Sequence, residues 1–88
     1  NRFLDAGERR AALALSRALR EGAAQHDGDA VVGVAAKVLD EEPGIRVDYL
    51  ALTGADLGPA PVSGAARLLV AAKVGATRLI DNVPIQLE

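Results

Sequence analysis

The side chains with the clearest chemical potential are four arginines near the start of the chain: Arg9, Arg10, Arg17 and Arg20. Guanidinium groups gathered on one side of a helix could bind phosphate or carboxylate. A nucleic-acid surface would also carry interleaved aromatic side chains or a wider basic area, and the sequence has neither. We therefore expect these arginines to form a solvated face or a seam to a neighbouring domain, with anion or nucleic-acid binding as the alternative.

The only histidine, His26, lies in a polar connector close to Asp27 and Asp29. General acid–base catalysis requires a partner held within hydrogen-bonding distance of the imidazole, and nothing in this spacing fixes one. We expect His26 to be an exposed loop residue.

A short acidic cluster is formed by Asp40, Glu41 and Glu42, and Asp48 follows it. Carboxylates suit Ca²⁺ or Mg²⁺, but the cluster lacks the ligand spacing of an EF-hand, so we expect a solvated helix end. The stretch GADLGPAPVSG fits neither common phosphate-loop pattern. The sequence therefore predicts no catalytic residue, no metal ligand and no bound cofactor in this chain.

The composition sets the size and class of the protein. The 88 residues suffice for one domain, and the absence of cysteine excludes a disulfide framework and a thiolate metal site. The formal net charge of -2 gives no global basic field for nucleic acid or membrane. No apolar run approaches the roughly 20 residues that span a bilayer. Because the sequence has no methionine and begins with Asn1, we expect it to be a piece of a longer protein.

The first half of the chain predicts two helices. Asp5 and Glu8 have the spacing of a capping box, which predicts a helix from about Ala6 to Glu21 with Gly22 as its C-cap. Its apolar side would hold the alanines and leucines at 11, 12, 14, 15, 18 and 19, whereas Leu13 falls among the arginines. The second helix is predicted from an Asp29 cap to about Asp40, with an apolar side formed by Val31, Val34, Ala35 and Val38.

The second half predicts three strands, beginning with IRVDYLAL (45–52), in which Ile45, Val47 and Tyr49 alternate with polar residues. The second covers 67–74, although a helix is an open alternative there because of its alanines. The third covers 79–87, and Pro84 predicts that it lies at a sheet edge. We expect Gly75 at the intervening turn, with positive φ. The order ααβββ indicates an α+β domain, two helices on a small antiparallel three-stranded sheet.

Three stretches together resemble the carboxy-terminal domain of the pantothenate synthetase (pantoate–β-alanine ligase) family. They are NRFL (1–4), VDYL (47–50) and GAARLLVAAKVGATRLIDNV (64–83), the last being the most specific. The resemblance extends over essentially the whole chain. It implies that residues 1–88 form a single domain, a lid over the active site of a larger cytoplasmic ligase.

The resemblance implies that, in this family, an amino-terminal Rossmann-like domain carries a HIGH-type motif and the pantoate pocket. The enzyme uses Mg-ATP to convert pantoate to pantoyl adenylate, which β-alanine attacks to give pantothenate and AMP. The parent enzyme is expected to be a homodimer that binds no nucleic acid and no membrane, and ATP, pantoate and β-alanine are its expected ligands.

Carried over residue by residue, the resemblance places no catalytic, cofactor-binding or metal-binding residue in this chain. The family's Ser-Ser-Arg triplet, which contacts ATP phosphates, directly precedes the segment matching NRFL, so only Asn1 and Arg2 would adjoin that loop. We expect Asp81 and Asn82 to lie where the last strand leaves the core, either capping a bend or facing the neighbouring domain. A free-standing anion or nucleic-acid binding module using the arginines, or a dimerisation domain, are the alternatives.

Overall fold

The computed structural model describes residues 5–88 and shows the α+β arrangement that the sequence predicts. Two helices precede a three-stranded antiparallel sheet, in the order α1 (Ala6–Ala23), α2 (Gly28–Asp40), β1 (Arg46–Gly54), β2 (Gly64–Val74) and β3 (Thr77–Leu87). None of the helices in this part of the chain is both long and apolar enough to cross a membrane.

The predicted capping box begins α1. The Asp5 carboxylate accepts a hydrogen bond from the Glu8 backbone N–H at 2.7 Å, and the Glu8 carboxylate accepts one from the Asp5 N–H at 3.1 Å. The predicted end of α1 is wrong, because Gly22 lies within the helix and is buried, and Ala24 is the C-cap. At Gly22, α1 packs closely against its neighbours: a Cβ there would lie 3.1 Å from the Val31 carbonyl oxygen.

The second helix begins earlier than predicted. Its N-cap is Asp27, whose side chain accepts a hydrogen bond from the Ala30 N–H at 3.2 Å, and Asp29 falls in the first turn. Aspartate is a preferred N-cap residue, so either position could cap the helix. A negative charge within the first turn also stabilises a helix. The sequence alone therefore did not distinguish the two positions. The helix ends at Asp40, as predicted.

The sheet has β2 at its centre, with β1 and β3 at the edges. The two-residue connection of Gly75 and Ala76 joins β2 to β3, and Gly75 has φ of +60°, as predicted. Pro84 lies on an edge strand, which confirms the interpretation of that proline. The helical alternative for residues 67–74 is wrong, because strand pairing spans all of them.

Both helices cover the same face of the sheet, with α1 packed on β2 and β3 and α2 packed on β1. The core consists of side chains from the helix-covered face of the sheet and from the apolar sides of the two helices. Its members are Leu15, Ala18, Leu19, Val31, Ala35, Val38, Leu39, Ala66, Leu68, Val70, Ala72, Ile85 and Leu87. The predicted apolar sides of the helices are confirmed, except that Ala12, Ala14 and Val34 are only half-buried. Leu13, which was predicted to fall among the arginines, is 69% exposed.

A bulge in β1 changes the faces that its residues occupy. Val47 pairs with Ala72, whereas Tyr49 pairs with the adjacent Ala71, so Asp48 is left between them without a partner. Successive residues of β2 point to opposite faces, and an inserted residue shifts that alternation. Val47 therefore lies on the helix-covered face and Tyr49 on the other one. The strict alternation expected for Ile45, Val47 and Tyr49 is wrong for this reason.

Asp81 and Asn82 lie in the middle of β3, which remains paired with β2 through both residues and continues to Leu87. Both side chains are exposed, and the strand returns to the core at Ile85. Neither residue caps a bend. Asn82 instead accepts a hydrogen bond from the Arg67 guanidinium on the neighbouring strand.

Candidate functional site

The predicted site residues are placed as follows. Asn1 and Arg2, which the resemblance sets beside an ATP-phosphate loop, lie outside the described residues. The helix-one arginines are exposed, and Arg17 donates to the carboxylates of Glu21 at 2.6 Å and Glu41 at 3.5 Å. The hydrogen bond that Arg17 donates to Glu21 raises the pKa of Arg17, and the negative charge of Glu21 adds to this effect. The contact with Glu41 reaches from α1 to the end of α2, so one arginine of this face is paired within the domain.

We expect single Arg10→Gln and Arg20→Gln substitutions to change the free energy of unfolding by no more than about 0.5 kcal/mol, because exposed side chains away from the core contribute little. Denaturant melts of the two variants and the parent chain measure this. A loss of more than about 1 kcal/mol would mean that the arginine face packs against something essential to the fold.

His26 is exposed, as expected, and its Nδ1 lies 3.1 Å from the Gln86 carbonyl oxygen and 3.4 Å from the Glu88 carboxylate. The Glu88 N–H also donates to the His26 carbonyl oxygen at 2.9 Å. These contacts tie the end of β3 to the connector between the helices. We therefore interpret His26 as a structural residue that fastens the end of β3 to this connector.

The acidic cluster lies at the end of α2, where Asp40 and Glu41 are exposed and Glu42 is half-buried. Within residues 5–88, no three side chains of the His, Cys, Asp or Glu type come together as a metal site would require. Asp48 is directed elsewhere and accepts a hydrogen bond from Arg78 at 3.1 Å.

The sheet face opposite the helices carries the feature that sequence reasoning missed. Arg46 pairs with Lys73, and Lys73 pairs with Arg78, so three cations lie side by side across β1, β2 and β3. We call this set the cationic row. The next row along the same face is apolar. In it, Ala71 of β2 pairs with Tyr49 of β1 and with Ile80 of β3. Only the strand register brings these residues together, because each is distant from the others in sequence.

A surface depression of about 540 Å³ adjoins the cationic row. It is lined by Pro43, Gly44, Ile45, Arg46, Lys73 and Gly75. Two of these residues are cations and two are glycines, which leave the backbone accessible to a ligand. A second depression, of about 350 Å³, shares Pro43, Gly44 and Gly75 with the first and reaches the start of α1 at Asp5 and Gly7.

The start of α1 is fixed to this end of the sheet by Glu8. One carboxylate oxygen of Glu8 belongs to the capping box, and the other accepts a hydrogen bond from the Thr77 hydroxyl at 3.3 Å. Thr77 is the first residue of β3, directly after the turn at Gly75 and Ala76. The cationic row, the β2–β3 turn and the beginning of α1 therefore lie at one end of the domain.

Comparisons with known proteins agree on one family. Its profile, described as pantoate-beta-alanine ligase, matches residues 1–84. Pantothenate synthetase from Nocardia farcinica is 57% identical over 91 residues, covering 99% of this chain and 28% of its own length. The Mycobacterium avium enzyme is 53% identical over 90 residues, covering 100% of this chain and 29% of its own length.

A solved structure gives the same result for the fold. The crystal structure of pantothenate synthetase from Thermus thermophilus matches with a TM-score of 0.75 and 35% identity, covering 92% of this chain and 32% of that protein. The chain thus spans less than a third of the length of these relatives, and it aligns with their carboxy-terminal part.

Proposed function

Because this chain belongs to the pantoate–β-alanine ligase family, we propose that it forms the carboxy-terminal lid domain of a pantothenate synthetase. The observation that carries the proposal is the match over 99% of this chain to a relative of which it covers only 28%. A segment with its own helices, sheet and core, aligned with the end of a larger enzyme, has the character of a domain.

In the proposed reaction, the whole enzyme binds Mg-ATP and pantoate, forms pantoyl adenylate with release of pyrophosphate, and passes the pantoyl group to β-alanine. An acyl adenylate is lost if water reaches it before the amine does. Closure of a domain over an active site excludes water and protects a reactive intermediate. A lid would therefore act by enclosing the adenylate, while residues of the amino-terminal Rossmann-like domain perform the chemistry.

The local structure supports such a role. A lid moves as a rigid body about a few residues at its edge. Glu8 joins the first turn of α1 to the β2–β3 turn through Thr77, so movement of the preceding segment would be transmitted to the sheet. The proposal includes a homodimeric, cytoplasmic parent enzyme and places Asn1 and Arg2 beside the loop that contacts the ATP phosphates.

The free-standing anion or nucleic-acid module has no support from the comparisons, all of which indicate ligases. The Arg17 side chain, moreover, is already engaged by two carboxylates of this chain.

We expect the 88-residue chain alone to have no ligase activity, because the residues that the family resemblance assigns to catalysis lie upstream of Asn1. Incubation with Mg-ATP, pantoate and β-alanine should release no AMP above a blank without protein. Release of AMP in proportion to the amount of chain would contradict the assignment.

The lid role itself is tested with the full-length ligase and a version truncated before the residue equivalent to Asn1. The truncated enzyme should release more AMP than pantothenate, since unprotected adenylate would be hydrolysed, whereas the full-length enzyme should give one AMP for each pantothenate. A truncated enzyme that keeps this ratio and the full rate would show that the segment is not a lid.

A further inference from the structure

The cationic row is an arrangement that folding alone does not explain. Like charges placed directly opposite each other on neighbouring strands are destabilising, yet Arg46, Lys73 and Arg78 occupy three consecutive strands at one level. Within the described part of the chain, the ion pair of Asp48 is with Arg78. Among residues 5–88, neither Arg46 nor Lys73 makes an ion pair. Two exposed cations on this face thus have no carboxylate bound directly to them in the described part of the chain.

The surroundings of these two cations suit a phosphorylated ligand. Arg46 and Lys73 line the 540 Å³ depression together with Gly44 and Gly75, and guanidinium and ammonium groups are the usual protein partners of phosphate. Directly beside them lies the apolar surface of Tyr49, which is 42% exposed, and Ile80, which is 62% exposed. A cationic edge next to an apolar, partly aromatic surface complements a nucleotide, whose phosphates are charged and whose base is flat.

We propose that the depression between Arg46 and Lys73 binds a phosphate group of the nucleotide substrate when the lid closes over the rest of the ligase. The inference rests on the proposed function. It adds that the face of the sheet not covered by the helices is the surface of the lid that faces the active site. Arg46 and Lys73 contact the phosphate, and Arg78 is held beside them by Asp48.

The position of the depression agrees with this assignment. Pro43, Gly44 and Gly75 connect it to the second depression at Asp5 and Gly7. Because this chain aligns with the carboxy-terminal part of its relatives, the proposed function sets the rest of the ligase on the amino-terminal side of the domain. The opposite end of α1, where Arg20 adjoins Asp81 and Asn82, is about 20 Å away along an 18-residue helix. The cationic row is therefore at the end of the domain nearest the rest of the enzyme.

The test uses the full-length ligase and measures the Kd of Mg-ATP by titration calorimetry without pantoate, so that no turnover occurs. The double variant Arg46→Gln/Lys73→Gln should bind ATP at least about tenfold more weakly, because each charge-assisted contact to phosphate is worth that much or more. Lys73→Arg should keep most of the affinity, since it keeps the charge. Arg20→Gln makes the same change of charge at the far end of α1 and should leave the Kd within about twofold.

Thermal melting distinguishes a binding role from a structural one. Removal of Lys73 relieves repulsion within the row, so Lys73→Gln should melt at the same temperature as the parent enzyme or at a higher one. Weaker ATP binding at an unchanged or higher Tm supports the proposal. An unchanged Kd in a double variant that melts normally overturns it. If the double variant melts early, the single Lys73→Gln variant decides by the same criteria.

The truncation experiment separates this inference from the proposed function. A truncated enzyme that leaks adenylate, together with an unchanged Kd in the double variant, would retain the lid and reject the phosphate site. A truncated enzyme with full activity would reject both.

Discussion

Gly22→Val should lower the free energy of unfolding of the domain by about 3 kcal/mol, a large part of the stability of a protein this small. At Gly22, α1 packs so closely on its neighbours that an added Cβ would lie 3.0 Å from the Leu68 side chain and 3.1 Å from the Val31 carbonyl oxygen. Leu68 is fully buried and Val31 is in a helix, so neither can move aside easily. The two further methyl groups of valine would force α1 away from both α2 and the sheet.

Gly33 provides the matched control for this substitution. It lies inside α2, is exposed, and a Cβ there would meet nothing within 4 Å. Because valine has a slightly higher helix propensity than glycine, Gly33→Val should leave the free energy of unfolding unchanged or raise it by up to about 0.4 kcal/mol. Urea denaturation of both variants and the parent chain provides the comparison. Similar stabilities for the two variants would mean that the helices are not packed at Gly22 as the structure shows.

The contrast between these two glycines also shows what the sequence can and cannot predict about this fold. Both glycines interrupt an apolar helical pattern, and local reasoning assigned Gly22 to a helix end because glycine is common there. The distinction depends on the distance between α1 and α2, which is set by tertiary packing. By contrast, the capping box at Asp5 and Glu8 and the turn at Gly75 are determined by neighbours in sequence, and both were predicted correctly.

The candidate site shows the same division. The arginines of α1 were visible from the sequence because helical periodicity alone gathers them on one side. The cationic row was not visible, because Arg46, Lys73 and Arg78 meet only through the register of two strand pairs. The bulge at Asp48 adds a second obstacle, since it moves Tyr49 to the open face and leaves Asp48 free to contact Arg78. A bulge of this kind leaves no clear signal in a single sequence.

The β2–β3 turn carries the second large effect. Gly75 has φ of +60°, and its added Cβ would lie 3.2 Å from the Glu8 carboxylate. A residue with a Cβ loses roughly 1–2 kcal/mol in this left-handed region, and β-branched residues are the least suited to it. Asparagine tolerates the region better, because its side chain can form local hydrogen bonds. Gly75→Val should therefore destabilise the domain by about 2 kcal/mol and Gly75→Asn by less than half as much.

The Glu8 contact distinguishes this prediction from a purely local backbone effect. Glu8 can swing away from a new side chain at residue 75, but it would then lose the hydrogen bond from Thr77. Ala76→Gly serves as the control, since Ala76 is exposed and does not have positive φ, and it should have only a mild effect. Denaturant melts of Gly75→Val, Gly75→Asn and Ala76→Gly measure the differences. Equal stability of the two Gly75 variants would contradict a left-handed glycine at this turn and, with it, the pairing of Val74 with Thr77 that aligns β2 with β3.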